Sequence, residues 1–270
     1  MNSIYLSRKQ DASFVRQQGN VPVRKLPALK LVTHALTSIF TYRDVGIRLG
    51  IVWIGLLFVL GVLGEAAGPP DPKATTLGAP HIVFLLSAAV GLIGISSMAV
   101  GWHRFVLRDD VGSPWRIDAI VWRYVGNTVL ITLMIIAPFA LLASIVSLLH
   151  PAALILLAPA SVLAGAMALR LSVKLPAIAL ERRDFGFREA LSATDGNFWP
   201  LAAVFLLNAA IIIGALLVLS VAVSALALLS PMLASLVGLT IGAMFQLFYT
   251  LFNASIFTAL YGFFVEGRDF

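Results

Sequence analysis

Residues Pro200 to Val265 read PLAAVFLLNAAIIIGALLVLSVAVSALALLSPMLASLVGLTIGAMFQLFYTLFNASIFTALYGFFV, 66 consecutive positions without aspartate, glutamate, lysine or arginine. At about 1.5 Å of rise per residue this run makes roughly 100 Å of helix, against a hydrocarbon core of about 30 Å, so the chain must turn back. The good breaker near its middle is Ser230-Pro231, because proline has no N–H to offer a continuing helix. The run Tyr124–Leu169 is equally free of charge and is divided by His150-Pro151. Each run reads as a helical hairpin whose tight turn sits at the membrane interface, where water can reach its backbone groups.

A looser hairpin precedes them. Val45–Gly64 and Ile82–His103 are each long enough to span, and Glu65–Lys73 between them is too rich in proline and glycine for a helix interior. The expectation is an all-α integral membrane protein with six spans: about 45–64, 82–103, 126–149, 152–175, 200–229 and 231–264. Composition agrees: 60% of residues are hydrophobic and 12% charged, where a soluble domain carries about 25% charged residues. A soluble enzyme, a disordered chain, a disulfide-stapled domain and a coiled coil are excluded. A transmembrane β-barrel would alternate apolar and polar residues; the runs here are continuous. No cleavable signal peptide is expected, because the first 44 residues hold no apolar core of sufficient length.

Eighteen of the 19 lysines and arginines lie on one side of this topology, in the amino-terminal segment, the two even-to-odd loops and the tail; only Lys73 lies on the other. The positive-inside rule then predicts an inner (cytoplasmic) membrane protein with both termini in the cytoplasm. The net charge of +6 follows from this bias and predicts contact with anionic lipids. Nucleic acid is not expected as a partner, since the basic residues are spread along membrane edges. A larger membrane-protein complex is.

The segments leaving the second, fourth and sixth spans resemble one another: Phe105–Gly112, Ala179–Gly186 and Phe264–Phe270, each with Arg and Asp near its end. Those entering the odd spans do too, at Arg43-Asp-Val-Gly46, Arg123-Tyr-Val-Gly126 and Thr194-Asp-Gly196. Short amphipathic stretches precede them. The first opens at Pro27 and places Leu29, Val32, Leu36, Ile39 and Phe40 on one face; the second is Trp115–Tyr124; the third lies around Phe187, Ala190, Leu191 and Thr194. The expected organisation is a basic segment, 1–26, and one membrane domain, 27–270, built of three units (about 27–112, 113–186 and 187–270). Each unit is an interfacial helix followed by a two-helix hairpin.

Ala168–Glu181, Glu189-Ala-Leu-Ser192, Asn197-Phe-Trp199 and Ala99–Leu107 carry a family likeness. Here the chain resembles uncharacterised six-span bacterial inner-membrane proteins. More distantly it resembles the membrane domain attached to some glycerophosphodiester phosphodiesterases. The resemblance implies fold and membrane placement. It implies no phosphodiesterase activity, since the chain has no such catalytic domain.

Candidate site residues are few. His103, Arg104, Arg170 and Lys174 stand near the basic ends of the second and fourth spans. They serve either as interfacial anchors or, together, as a lipid-phosphate or anion pocket, since guanidinium donors match phosphate oxygens. Asn208, Gln246 and Asn253 are polar residues deeper in the spans, expected to form interhelical hydrogen bonds or to mark a substrate path. Nucleotide, zinc-protease and serine-hydrolase motifs are absent, and zero cysteines exclude thiol chemistry. No cofactor or metal is expected. His81 and His150 share the far end with Glu65 and Asp71, but histidine at an interfacial turn is the simpler reading. The expected function is that of a non-enzymatic scaffold, accessory subunit or lipid-interacting factor. A small transporter is the alternative if Asn208, Gln246 and Asn253 share one cavity. A headgroup enzyme would need Asp109, Asp110 or Glu181 beside the basic cluster.

Overall fold

A computed structural model describes residues 24–71, 73, 76–149, 155 and 157–270. Among the described residues there are nine α-helices and no strand. They are α1 (Ala28–Thr41), α2 (Arg43–Ala67), α3 (Ala79–Arg108), α4 (Ala119–Leu149), α5 (Leu157–Ser172), α6 (Lys174–Ala179), α7 (Phe187–Ala193), α8 (Phe198–Leu229) and α9 (Pro231–Phe264). Six segments are long and apolar enough to cross a membrane: α2, α3, α4, α5 continued by α6, α8 and α9. The protein is a multi-pass, all-helical membrane protein. Residues 1–23, with Arg8, Lys9 and Arg16, and the His150-Pro151 turn lie outside the described residues.

Local chemistry sets the boundaries. Ser230 stops α8 and starts α9: its hydroxyl accepts from Leu233 N–H at 3.3 Å, with Pro231 at the first helical position. The fourth span, expected as one helix, breaks at Val173, between α5 and α6. Pro176 explains this, for it lacks an N–H and its ring crowds the carbonyl of Ser172, the last residue of α5.

Two expectations about the interfacial helices are corrected. In the second unit, Trp115–Tyr124 does not form a separate helix. The Asp118 carboxylate accepts from Ile120 and Val121 N–H at 3.0 and 3.1 Å, starting α4 at Ala119, and no breaker separates that start from the span. In the first unit, α1 buries Leu31, Val32, Ala35 and Ile39, while Leu29 and Phe40 are exposed. Packing against both α8 and α9 turns the helix, so its apolar face is divided between protein and surroundings.

The spans close into a ring. The hairpin pairs α2–α3, α4–α5 and α8–α9 alternate with the contacts α3–α4, α5–α8 and α9–α2, and α6 packs on α3, α4 and α9. Burial is concentrated in the returning helices toward the basic end, at Gly94–His103 of α3, Gly165–Ala179 across α5 and α6, and Thr250–Phe263 of α9. The far halves expose Val218, Val221, Leu228 and Leu229, as contact with lipid requires. Lipid is as apolar as leucine, so close packing and not hydrophobic exclusion holds such helices together. A Cβ at Gly165 would strike the Phe205 ring, and one at Gly50 the Leu247 side chain, whereas Gly214 has open space. We expect Gly165→Ala to destabilise the bundle by about 1–3 kcal/mol through overpacking. Gly214→Ala, read by the same thermal unfolding in detergent, leaves stability unchanged or slightly raised.

Candidate functional site

The returning helices α3, α6 and α9 each leave the membrane through a residue in left-handed conformation: Asp109 (φ 56°), Glu181 (φ 62°) and Gly267 (φ 71°). Such a residue turns the following N–H groups back onto last-turn carbonyls, as Asp110 N–H does to Arg104 O, Arg182 N–H to Ala177 O and Arg268 N–H to Gly262 O. Arginines reach carbonyls that these bonds leave open. Arg104 donates to Ala179 O at 3.2 Å and Arg108 to Leu180 O at 2.7 Å, which closes α6 with side chains from α3. Arg182, past α6, donates to the Tyr261 hydroxyl of α9 at 3.1 Å. Arg24, ahead of α1, donates to Phe263 O at 3.2 Å and Arg268 O at 2.7 Å at the end of α9. The three aligned aspartates hold these arginines: Asp110 pairs with Arg104 at 2.7 Å, Asp184 with Arg182 at 2.8 Å, and Asp269 with Arg24. Positive charge at a helix C-terminus also suits the macrodipole.

The Asp184 carboxylate and then the Tyr261 hydroxyl hold the Arg182 guanidinium above its ordinary pKa. The hydrogen bond from Arg182 holds the Asp184 carboxyl below the usual range. Backbone N–H donors, including that of Gly186 at 2.8 Å, do the same for Glu189 at the start of α7.

The four residues read as interfacial anchors or an anion pocket have no hydrogen-bond or ion-pair partner in common among the described residues. His103 is fully buried between Thr258 and Tyr124. Arg104 is engaged by Asp110, Glu181 and Ala179 O. Arg170 donates to Thr194 Oγ1 at 2.9 Å and Leu191 O at 2.7 Å, tying α5 to α7. Lys174 lies 3.8 Å above the Phe187 ring. Each arginine therefore directs donors to protein acceptors. Of the carboxylates a headgroup enzyme would need, Asp110 and Glu181 are both engaged by Arg104.

Asn208 and Asn253 do meet: Asn208 Nδ2 donates to Asn253 Oδ1 at 3.3 Å, joining α8 to α9. Gln246 instead donates to Thr250 on its own helix at 3.3 Å. Gln246 faces a cavity of about 700 Å³ between the first and third hairpins. Asn253 faces a different one, of about 480 Å³, among α3, α4, α5 and α9. The three polar residues thus do not line one cavity.

The 480 Å³ cavity has a polar fringe of which sequence reasoning named only Asn253. Tyr124, Thr128 and Thr132 of α4 face Thr250 and Asn253 of α9, with Ser172 of α5 beside them. The signal was present as spacing: Tyr124, Thr128 and Thr132 recur every four residues, as do Gln246, Thr250, Ala254 and Thr258. Among the described residues no charged side chain lines this cavity. Its chemistry is that of hydroxyl and amide hydrogen bonds within apolar walls. Among the described residues no group of three histidine, cysteine or acidic side chains could hold a metal ion. His81 Nε2 instead meets Asp71 O at 3.1 Å; His150 lies outside the described residues.

Replacing Arg104 with alanine frees the Ala179 carbonyl and two carboxylates, and costs about 1–3 kcal/mol in thermal unfolding. Arg183→Ala, at an exposed position, leaves stability unchanged. Asp184 and Glu189 have depressed carboxyl pKa values when folded. Their contribution is therefore complete above the ordinary carboxylate range and is lost as pH falls through the depressed values. Hydrogen exchange across residues 180–197 rises on that acidification, and Asp184→Asn or Glu189→Gln shows part of the rise already at neutral pH. Compared with protein families, curated proteins and solved structures, the chain matches none.

Proposed function

We propose that this protein is a non-enzymatic, lipid-interacting factor of the inner membrane of a bacterial cell, with both termini in the cytoplasm. One observation carries the reading: the 480 Å³ cavity joins apolar walls to two facing rows of uncharged hydrogen-bonding groups. Polar groups in a membrane interior turn toward partners; Tyr124, Thr250 and Asn253 have theirs in the protein, but the buried Thr128 Oγ1 beside this space has none among the described residues. Such a space suits an amphiphile with an uncharged, hydroxyl- or amide-bearing head and an apolar tail.

The basic end supports the same reading. Lys30, Arg48, Arg123, Arg183 and Arg188 are exposed there, available to anionic headgroups. Trp115, Trp122 and Trp199 are also exposed at this end, in the manner of an interfacial aromatic belt. The alternating ring of helices and the three left-handed exits support a threefold repeat with units of about 27–112, 113–186 and 187–270. The role of scaffold or accessory subunit in a larger complex fits the same apolar exterior.

Native mass spectrometry of the full chain, with diacylglycerol as the added probe, tests the cavity. Binding is expected, and Thr128→Val with Thr132→Val weakens it roughly thirtyfold, at about 1 kcal/mol for each lost hydrogen bond. Equal binding by the variant would sink the assignment. The chain has no native cysteine, so a single introduced thiol reports topology. In intact cells Arg183→Cys is expected to resist a membrane-impermeant thiol reagent and Lys73→Cys to react. The opposite result would invert the orientation.

A further inference from the structure

His103 stands between two cavities. Tyr124 lines the 480 Å³ cavity, and Thr258 lines a second cavity of about 280 Å³ at the basic end. His103 itself has no exposed surface. Its Nε2 is 3.1 Å from the Tyr124 hydroxyl and its Nδ1 is 2.7 Å from the Thr258 hydroxyl. Thr258 donates its own proton to Ala254 O at 2.7 Å, so its oxygen accepts from His103. That assigns the Nδ1–H tautomer and leaves Nε2 to accept from Tyr124. The hydrogen bonds therefore run one way, from Tyr124 through His103 to Thr258.

The route extends at both ends. The 700 Å³ cavity, which reaches Glu65 near the far end, shares Ile95 with the 480 Å³ cavity, and the Gln246–Thr250 hydrogen bond links their walls. At the other end the 280 Å³ cavity is bordered by His34 and Asp269. All three volumes far exceed the roughly 30 Å³ that one water occupies in the liquid.

We propose that, when water and not an amphiphile fills the 480 Å³ cavity, the protein passes protons across the membrane through His103, which joins that cavity to the 280 Å³ one. Hydronium on the Tyr124 side delivers a proton to the phenolic oxygen as its original proton moves to His103 Nε2. The imidazole releases its Nδ1 proton to Thr258 Oγ1. The Thr258 proton, turned away from Ala254 O, leaves to water in the 280 Å³ cavity. Only O–H and N–H bonds form and break, and one proton leaves for each that enters. A ring flip with side-chain rotation restores the starting tautomer for the next proton. Because the imidazole fills the gap, larger ions do not follow.

The full chain is reconstituted in phosphatidylethanolamine–phosphatidylglycerol vesicles with an internal pH dye, and valinomycin with a potassium gradient sets the potential. Flux above that of protein-free vesicles is expected, without passage of sodium. Tyr124→Phe, which keeps the ring, and Thr258→Val are expected to fall to the protein-free rate, while Thr258→Ser conducts. All three are first shown to be folded by thermal unfolding. A wild-type rate equal to that of empty vesicles overturns the proposal. So does equal conduction by Tyr124→Phe and Thr258→Val, which leaves His103 a packing residue, or accompanying sodium leak.

Discussion

A helix that ends at a membrane surface leaves its last carbonyls without intrahelical donors, and lipid offers none. Three returning helices face this problem at the basic end: α3 is closed by its own backbone N–H groups, while α6 and α9 also receive arginine donors from elsewhere in the chain. Arg104 and Arg108 from α3 serve α6, Arg182 from beyond α6 reaches α9, and Arg24 from ahead of α1 serves the end of α9. Every hairpin exit is thus bonded to another. The contribution exceeds that of surface ion pairs, because an unpaired buried carbonyl costs more than an exposed pair gains. The aspartates matter mainly by aiming the guanidinium groups. Arg104, whose side chain is 14% exposed, holds two carboxylates and a carbonyl at once.

This arrangement explains the unequal burial along the bundle. Where the exits are joined, Leu169, Val173, Trp102, Phe252 and Leu260 pack with almost no exposed area. Toward the far end no such arginine tie is found among the described residues, and lipid supplies no hydrophobic force between helices. Cavities of about 700 and 480 Å³ open there and in the middle. An ordinary soluble core would fill them, since packing density near that of organic crystals is the rule. In a membrane they persist where small residues such as Gly91, Gly238 and Gly242 line one side and polar groups face the other.

Long charge-free runs made the six spans legible in sequence, and Ser230-Pro231 marked a turn because both residues act locally. Pro176 was equally local, but its consequence was hidden by the apolar run around it, and the break at Val173 required structure. The second interfacial stretch failed for a related reason. Trp115–Tyr124 has the right composition, but Asp118 caps a helix that simply continues into the span. Basic residues near span ends read as anchors, since snorkelling and capping use the same amino acids at the same depth. Which carbonyl Arg104 reaches depends on α6 lying beside α3, a contact between residues 75 positions apart. The hydroxyl rows of α4 and α9 were readable as spacing. Their facing one another was not, because a threonine in an apolar helix is as well satisfied by its own backbone.

His103 shows how these levels combine. Alone in sequence it lies one residue before Arg104, at the end of a span, and reads as interfacial. In the fold it is drawn inward by the same packing that lets Arg104 reach α6, since adjacent helical positions point about 100° apart. One side chain is then delivered to a neighbouring helix end and the other to the bundle interior. There Tyr124 and Thr258, from two different hairpins, meet both ring nitrogens. Imidazole is the only neutral side chain that accepts on one ring nitrogen and donates on the other in this geometry. The arginine connections at the exits hold α3 and α9 against α6, and the His103 contacts lie within that held region. The joined end of the bundle thus supplies the rigidity that a polar connection between open spaces requires.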